Sequence, residues 1–212
     1  KAPRQAKNVI LFVGDGMSLQ AREMARILSK GMTNGKYNDL LAMEKMPHNC
    51  LITTSGYDSL TTDSANSASA YATGHKSVVN AMGVYEDSTA DPFDDPRVEN
   101  ITEIVKRSRG MSVGIITQAE STDATPAAMV GHTRRRANQD YLASEYLEDY
   151  HRPDVIMGGG LQRYIPQGEE GSKRHDNQNV VQEFKDKGYT YATTSKEMMA
   201  APSDKPLLGL FH

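Results

Sequence analysis

The chain alternates short apolar runs, each bounded by turn residues, with longer stretches of helical periodicity from one end to the other. This alternation constrains the fold most, because strands that alternate with helices favour an α/β fold with a mostly parallel central sheet and helices on both of its faces. Strands are predicted at residues 9–13, 50–54, 113–117, 154–157 and 207–211, with a weaker strand at 189–192.

Helices are expected between these strands, and nothing in the sequence marks a repeat or a linker. A chain of 212 residues can bury roughly 70% of the surface that its unfolded form would expose. We therefore expect residues 1–212 to form a single α/β domain portion around one substantial core. The predicted helices are residues 18–30, 40–45, 64–73, 101–109, 126–132, 138–150 and 177–186.

Charge and cysteine content exclude several classes of protein. The 24 Lys and Arg residues nearly balance the 27 Asp and Glu residues, so the sequence argues against specific nucleic-acid binding. The longest apolar run, residues 9–13, is far shorter than the ~18 residues that a membrane span needs. Cys50 is the single cysteine and cannot form an internal disulfide. The polar start without Met favours a mature form from which a signal peptide has been removed.

The first predicted strand ends in a carboxylate between two glycines, Gly14-Asp15-Gly16. Open α/β sheets bind ligands at the carboxyl ends of their strands, which makes Asp15 a candidate ligand residue. The alternative is that Asp15 turns the chain or caps the helix that starts near Ser18. A dinucleotide site is excluded, because Leu19 occupies the third glycine position of the GxGxxG pattern.

A helix of small side chains is predicted to begin at Ser64 and to end at Gly74, which suits the left-handed position after a helix. The N-terminus of this helix would direct free backbone N–H groups and the positive end of the helix dipole towards Ser64. Such a setting favours an alkoxide or a bound phosphate, so Ser64 is a candidate nucleophile. The alternative is that Asp63 or Ser64 only caps the helix.

A third polar group follows the predicted strand at 113–117. Thr125 is expected to cap a helix that has Pro126 in its first turn. Asp123 adds a second carboxylate at the same edge of the sheet and, with a hydroxyl, resembles the oxygen ligands that Mg²⁺ prefers. Among Arg134, Arg135 and Arg136, one is expected to clamp phosphate or carboxylate, and the other two are expected to be surface charges.

The histidines add no metal site that can be read from their spacing. His48, His75, His151, His175 and His212 have no partner at the sequence separation of metal ligands, so each is expected to be structural or exposed.

Three motifs in order resemble those of the alkaline phosphatases: residues 8–17 around Asp15, Thr62-Asp63-Ser64-Ala65 with residues 70–74, and residues 123–128. The stretches 155–160 and 207–211 are similar as well, and the resemblance extends over essentially the whole chain. It implies an alkaline-phosphatase-like fold and hydrolysis of small phosphate monoesters with two Zn²⁺ ions and one Mg²⁺ ion.

The resemblance also implies roles for individual residues. Ser64 would be the nucleophile that forms a phosphoserine intermediate, Arg136 would bind the phosphate, and Asp63 would orient Arg136. Two metals and an arginine would neutralise the charge of the phosphoryl group and hold the reacting oxygens in line. The implied metal ligands are Asp15 on one Zn²⁺ and the Mg²⁺, Ser64 on the same Zn²⁺, Thr125 on the Mg²⁺, and Asp123 on the Mg²⁺ through water.

The family's other metal ligands would lie in a second half after His212, so the chain resembles the N-terminal half of a catalytic domain. Residues 1–212 alone should then neither bind zinc tightly nor hydrolyse phosphate esters, and strand 207–211 should leave an exposed edge or face. The whole protein is expected to be a periplasmic or secreted homodimer. The alternatives are a phosphodiesterase or sulfatase of the same superfamily, and an inactive fragment or phosphate-capture module.

Overall fold

A computed structural model describes residues 6–85, 89 and 91–211. The chain forms two compact units, Lys1–Thr53 and Thr54–His212. The expectation of a single domain over residues 1–212 stays a prediction.

The first unit contains one long helix and a short hairpin. Helix α1 (Leu19–Lys30) begins after Ser18, whose Oγ accepts a hydrogen bond from the Ala21 N–H at 3.2 Å. Strands β1 (Met32–Thr33) and β2 (Lys36–Tyr37) pair antiparallel. Asn34 and Gly35 join them, both with positive φ, as a two-residue hairpin turn requires. A 3₁₀ helix follows at Ala42–Lys45.

The strands predicted at residues 9–13 and 50–54 are absent from the structure. Neither run pairs with another strand within the described residues, and large side chains in both are exposed, including Phe12 at 85% and Leu51 at 93%. An apolar run becomes a strand only when a neighbouring strand satisfies its backbone N–H and C=O groups, and neither run has that neighbour. These two predictions are therefore wrong.

The second unit contains a four-stranded parallel sheet. Its strands are β3 (Gly114–Glu120), β4 (Val155–Gly159), β5 (Thr190–Ala192) and β6 (Leu207–Leu210), in the spatial order β3-β4-β6-β5. Ile115 lies opposite Ile156, and Ile156 lies opposite Leu208. All four strands were predicted from their apolar runs, and the α/β class with a mostly parallel sheet is confirmed.

Strand β6 does not form the exposed edge that was expected of it. It lies between β4 and β5, and Leu208 and Leu210 on it are buried. The reason is topological, because a chain that returns to the middle of a parallel sheet places its last strand in the interior. The edges within the described residues are β3 and β5, and Ile116 on β3 is 71% exposed.

The helices of this unit agree with the predictions in part. Helices α2 and α3 have the predicted bounds, whereas α4 and α5 are shorter than expected and α7 was missed. Pro126 lies in the first turn of α4, where a missing N–H group is tolerated. The helices are α2 (Ser64–Thr73), α3 (Ile101–Arg109), α4 (Ala124–Ala127), α5 (Gln139–Glu145), α6 (Val180–Asp186) and α7 (Ser195–Ala200), with a 3₁₀ helix at Leu161–Arg163.

Small side chains bring α2 and α4 together. Ala65 and Ala68 of α2 and Ala124 and Ala127 of α4 are almost fully buried and belong to the main apolar core. Gly74 ends α2 in the left-handed conformation, with φ of 75°, as its sequence position predicted. This packing fixes the N-termini of both helices, which carry the polar motifs. Among the described residues, no helix combines the length and the apolar character that a bilayer span requires.

Candidate functional site

Asp63 is the residue from which the site is built. It precedes α2, and its Oδ1 accepts hydrogen bonds from the backbone N–H groups of Asn66 at 3.1 Å and Asn80 at 3.2 Å. The Asn66 side chain accepts a bond in return from the Asp63 N–H, which completes a capping box. Asp63 is therefore the residue that caps α2, and the alternative that Ser64 is the cap is wrong.

Asp123 has the same function at α4. Its Oδ1 accepts a hydrogen bond from the Ala124 N–H at 2.7 Å, and the helix begins at Ala124. The prediction that Thr125 caps this helix is wrong, because the acidic side chain two residues earlier already satisfies the first free N–H group. Thr125 is instead the second residue of α4, just beyond the carboxyl end of β3.

Arg136 joins the two caps. Its Nη1 donates to Asp63 Oδ2 at 3.2 Å, and its Nη2 donates to Asp123 Oδ1 at 2.8 Å. The backbone N–H of Arg136 donates to the Asn80 carbonyl oxygen at 2.9 Å, so the main chain is fixed as well. The side chain of Arg136 remains 31% exposed, and these bonds use two of the five guanidinium N–H groups. We call Asp63, Asp123 and Arg136 the arginine cluster.

The surroundings of Asp63 favour its charged form. Burial raises the pKa of Asp63, but the N–H groups of Asn66 and Asn80 and the Arg136 guanidinium outweigh burial and lower it. With both carboxylates ionised, the three side chains carry a formal net charge of −1. A phosphate dianion would therefore need further positive charge beside Arg136, and cations are the ordinary source of it.

The other predicted residues lie at defined places around these caps. Ser64 is the first residue of α2, directly after Asp63, and it is partly buried. Of the neighbouring arginines, Arg135 is exposed, whereas Arg134 is partly buried and donates to the Val79 carbonyl oxygen at 3.2 Å. Arg136 is thus the arginine of the three that pairs with both caps.

Asp15 lies in the first unit, in the turn before α1. The Met17 N–H donates to the Gly14 carbonyl oxygen at 3.2 Å, Gly16 has φ of 64°, and Asp15 is exposed. Because Ser18 caps α1, Asp15 turns the chain without capping the helix. Its role as a metal ligand stays a prediction.

A second polar cluster, which the sequence reasoning missed, lies in the core of the second unit. Glu103 Oε2 lies 3.3 Å from His132 Nε2, and Glu103 Oε1 lies 3.6 Å from His151 Nδ1. His132 Nδ1 lies 3.5 Å from Glu145 Oε1, which is also 3.2 Å from Arg97 Nη2. We call Glu103, His132, Glu145 and His151 the histidine cluster; all four residues are buried.

The charges of the histidine cluster are strongly coupled. Burial lowers the pKa of His132, but its contacts with Glu103 and Glu145 outweigh burial and raise it to about 9. Burial raises the pKa of Glu103, but the two imidazoles and the Asn100 N–H lower it to about 2.

The prediction that His151 has no suitable partner is wrong, because tertiary structure brings it beside His132 and Glu103 despite their wide separation in sequence. His48, His75 and His175 are exposed, and His212 lies outside the described residues. A partial sequence signal existed in Glu103, an acidic residue on a short amphipathic helix that turns out to be buried.

The fold and the arginine cluster define an α/β protein in which an arginine bridges two carboxylates near the carboxyl end of a parallel strand. A family model for alkaline phosphatases matches residues 6–212, and the chain belongs to this family.

Similar proteins and similar solved structures are also alkaline phosphatases. The repressible alkaline phosphatase of Saccharomyces cerevisiae is 32% identical over 99% of this chain and 38% of its own length. A cold-active alkaline phosphatase from Shewanella sp. is 28% identical, with a TM-score of 0.75 over 94% of this chain and 44% of that one. A mutant of TAB5 alkaline phosphatase with Mg bound in its M3 site is 28% identical, with a TM-score of 0.63 over 76% of this chain and 42% of that one. The chain thus spans less than half the length of each of these proteins.

Proposed function

We propose that the protein containing this chain hydrolyses small phosphate monoesters through a phosphoserine formed on Ser64. The observation that carries this proposal is that Arg136 bridges Asp63 and Asp123. Asp63 directly precedes Ser64 in the sequence, so the guanidinium is held beside the proposed nucleophile. Membership of the alkaline phosphatase family supports the same reaction class.

Ser64 suits the role of nucleophile for two physical reasons. As the first residue of α2, it lies at the positive end of the helix dipole, which stabilises negative charge. Asp63 already caps the helix, so the Ser64 hydroxyl is not needed for capping. Its oxygen would attack phosphorus, the ester oxygen would leave with a proton, and water would then cleave the phosphoserine to release inorganic phosphate.

Arg136 would bind the non-bridging oxygens of the phosphoryl group. Its planar guanidinium matches two anionic oxygens at once, and Asp63 and Asp123 hold it in one orientation. Preorganisation of this kind stabilises charge that develops in the transition state without the cost of reordering the side chain. Asp63 would accordingly be a positioning residue.

The residues fit Mg²⁺ better than Zn²⁺. Asp123 is 36% exposed and, with the Thr125 hydroxyl, would supply the oxygen donors that Mg²⁺ prefers, Asp123 acting through a metal-bound water. Bound there, the ion would neutralise phosphoryl charge.

For the two Zn²⁺ ions that the family resemblance implies, the donors are incomplete. The three-residue group of His and carboxylate side chains found within the described ranges is Glu103, His132 and His151, and it does not include Asp15. We infer that further residues of the whole protein complete the zinc centre with Asp15 and Ser64. We propose as well that the whole protein is a periplasmic or secreted homodimer.

Acid trapping of the phosphoenzyme tests the proposed reaction. The active protein is incubated with ³²P-labelled phosphate at acidic pH, where dephosphorylation is slow, and label on Ser64 is located by peptide mapping. We expect label on the wild-type protein and none on the Ser64→Ala variant. Label retained by that variant would refute the role of Ser64. Faster hydrolysis of a bis-aryl than of a mono-aryl phosphate would identify a diesterase instead.

A further inference from the structure

The proposed reaction makes no use of the histidine cluster, although all of its titratable side chains are buried. The side chains of His132 and His151 are 1% and 0% exposed, and that of Glu103 is 7% exposed. They come from three separate segments: helix α3, the loop before Arg136, and the turn after α5. A buried polar group that touches three segments needs a physical account.

The spacing of the ligand atoms matches one small metal ion. One atom from each of Glu103, His132 and His151 lies within 4.8 Å of the others. Tetrahedral bonds of about 2.0–2.1 Å place ligand atoms roughly 3.3–3.4 Å apart. The contacts of Glu103 with His132 at 3.3 Å and with His151 at 3.6 Å are close to that separation. Direct hydrogen bonds would be shorter and better aligned.

Both imidazoles have an outer contact of the kind that orients metal ligands. His151 Nε2 lies 2.8 Å from the Glu145 carbonyl oxygen, so it carries the proton and Nδ1 keeps the lone pair that faces Glu103. His132 Nδ1 faces the Glu145 carboxylate, and Nε2 faces Glu103. Histidine ligands of metals usually donate their other N–H to a carbonyl or carboxylate in this way.

One ligand atom remains to be explained. His151 Nδ1, which faces Glu103, is buried and has no hydrogen-bond partner among the described residues. The Val98 carbonyl oxygen lies 3.1 Å from His132 Nε2 and accepts a hydrogen bond from it, so a bound ion would replace the proton on this nitrogen. Glu103 and Glu145 face a single arginine, Arg97, so the cluster needs one further positive charge, which either a proton on His132 or a metal ion can supply.

We propose that Glu103, His132 and His151 bind a divalent transition metal ion, with Zn²⁺ the best match, as a structural site separate from the arginine cluster. Two imidazoles and a carboxylate suit Zn²⁺ and do not suit Mg²⁺ or Ca²⁺. The burial of all three side chains excludes a substrate, so the ion would join α3 to the segment that leads to Arg136. The sequence predicted that residues 1–212 alone bind no zinc tightly, because no histidine lies at the sequence spacing of metal ligands, and the proposed site departs from that prediction.

Zinc content in matched variants tests the proposal. The His151→Gln variant removes a ligand, and His175→Gln changes an exposed histidine with 90% of its side chain accessible. After dialysis against a weak chelator, elemental analysis should find about one equivalent of zinc less in His151→Gln than in wild type. The His175→Gln variant should retain the wild-type content. Equal zinc in all three proteins would refute the site.

A measurement on the wild-type protein covers the case in which His151→Gln does not fold. Diffraction data collected at wavelengths on either side of the zinc absorption edge should give a peak in the anomalous difference map between Glu103, His132 and His151. A strong chelator should lower the Tm by at least about 5 °C, and added zinc should restore it. A map without this peak, with a Tm unchanged by chelator, would show that a proton on His132 holds the cluster and would overturn the proposal.

These results are independent of phosphatase activity. Zinc bound at the active site would appear at a different position in the anomalous map. The absence of a phosphoserine would refute the proposed function without affecting the proposed site in the histidine cluster. The absence of zinc from the histidine cluster would refute that site without affecting the proposed function.

Discussion

The arginine cluster and the histidine cluster are built from the same chemistry, two carboxylates around cationic nitrogen, yet they differ in their access to water. In the arginine cluster, the side chains of Asp63, Asp123 and Arg136 are 20%, 36% and 31% exposed. In the histidine cluster, those of His132 and Glu145 are 1% and 0% exposed. Exposure leaves a charged group able to exchange water for a ligand, whereas complete burial commits it to its protein neighbours.

The energetics of the two clusters should differ for the same reason. Partly exposed ion pairs contribute little to stability, because water screens them and competes for their hydrogen bonds. Buried charges are expensive to desolvate, so loss of one partner leaves the other uncompensated. We therefore expect changes in the arginine cluster to reduce activity and changes in the histidine cluster to reduce stability.

One backbone segment connects the clusters. The His132 N–H donates to Glu145 Oε2 at 2.9 Å, Thr133 exchanges two hydrogen bonds of 2.8 Å with Met82, and the Arg136 N–H donates to Asn80. The histidine cluster thus fixes the start of the segment 132–136, which ends at Arg136, the residue proposed to bind phosphate.

The largest expected effect is that of Ser64→Ala on activity. Removal of the nucleophile should lower kcat by several orders of magnitude, on the order of 10⁴-fold or more. The Tm should stay within about 2 °C of wild type, because Asp63 and not Ser64 caps α2. Steady-state kinetics and calorimetry of the whole protein check both quantities. A large fall in Tm would mean that Ser64 is structural and would break the distinction between the clusters.

The next largest effect should be that of Glu145→Gln on stability. Arg97 makes ion pairs of 3.2 Å with Glu145 and with Glu148, whose side chains are 0% and 41% exposed. Removal of the buried charge should cost about 3 kcal/mol in the free energy of unfolding. The Glu148→Gln control should cost less than about 1 kcal/mol. Urea unfolding measures both, and equal losses would show that burial does not separate these two pairs.

Arg136→Ala should have an intermediate effect that is confined to activity. The loss of charged hydrogen bonds to phosphate costs about 1.5–3 kcal/mol, which corresponds to a fall of roughly 10- to 150-fold in kcat/KM. Inhibition by inorganic phosphate should weaken in parallel. Arg135 is exposed, and Arg135→Ala should leave both quantities within about twofold of wild type. Similar losses in the two variants would indicate a general effect of surface charge.

The sequence predicts the local features of this molecule better than its long-range contacts. Helix α2 was predicted to the residue, because small side chains, an acidic cap and a final glycine are local signals. The strand at 9–13 failed because strand formation depends on a partner that an apolar run does not specify. The pairing of His132 with His151 could not be read from spacing, since the fold alone brings them together.

The smallest expected effect comes from Asp63, where two substitutions separate capping from positioning. Asn caps helices as well as Asp, so Asp63→Asn should keep the bond from Asn66 and lose only the charge that pairs with Arg136. Asp63→Ala should lose both and cost about 1 kcal/mol more in the free energy of unfolding.

If Asp63 positions Arg136, both variants should show the same fall in kcat/KM, of about threefold to tenfold, although only Asp63→Ala loses stability. Kinetics and urea unfolding of the two variants, measured side by side, give this comparison. A fall in kcat/KM that followed the loss of stability from Asn to Ala would assign Asp63 to the helix cap alone. In that case the orientation of Arg136 would depend on Asp123 and on the Asn80 carbonyl, which receives the backbone N–H of Arg136.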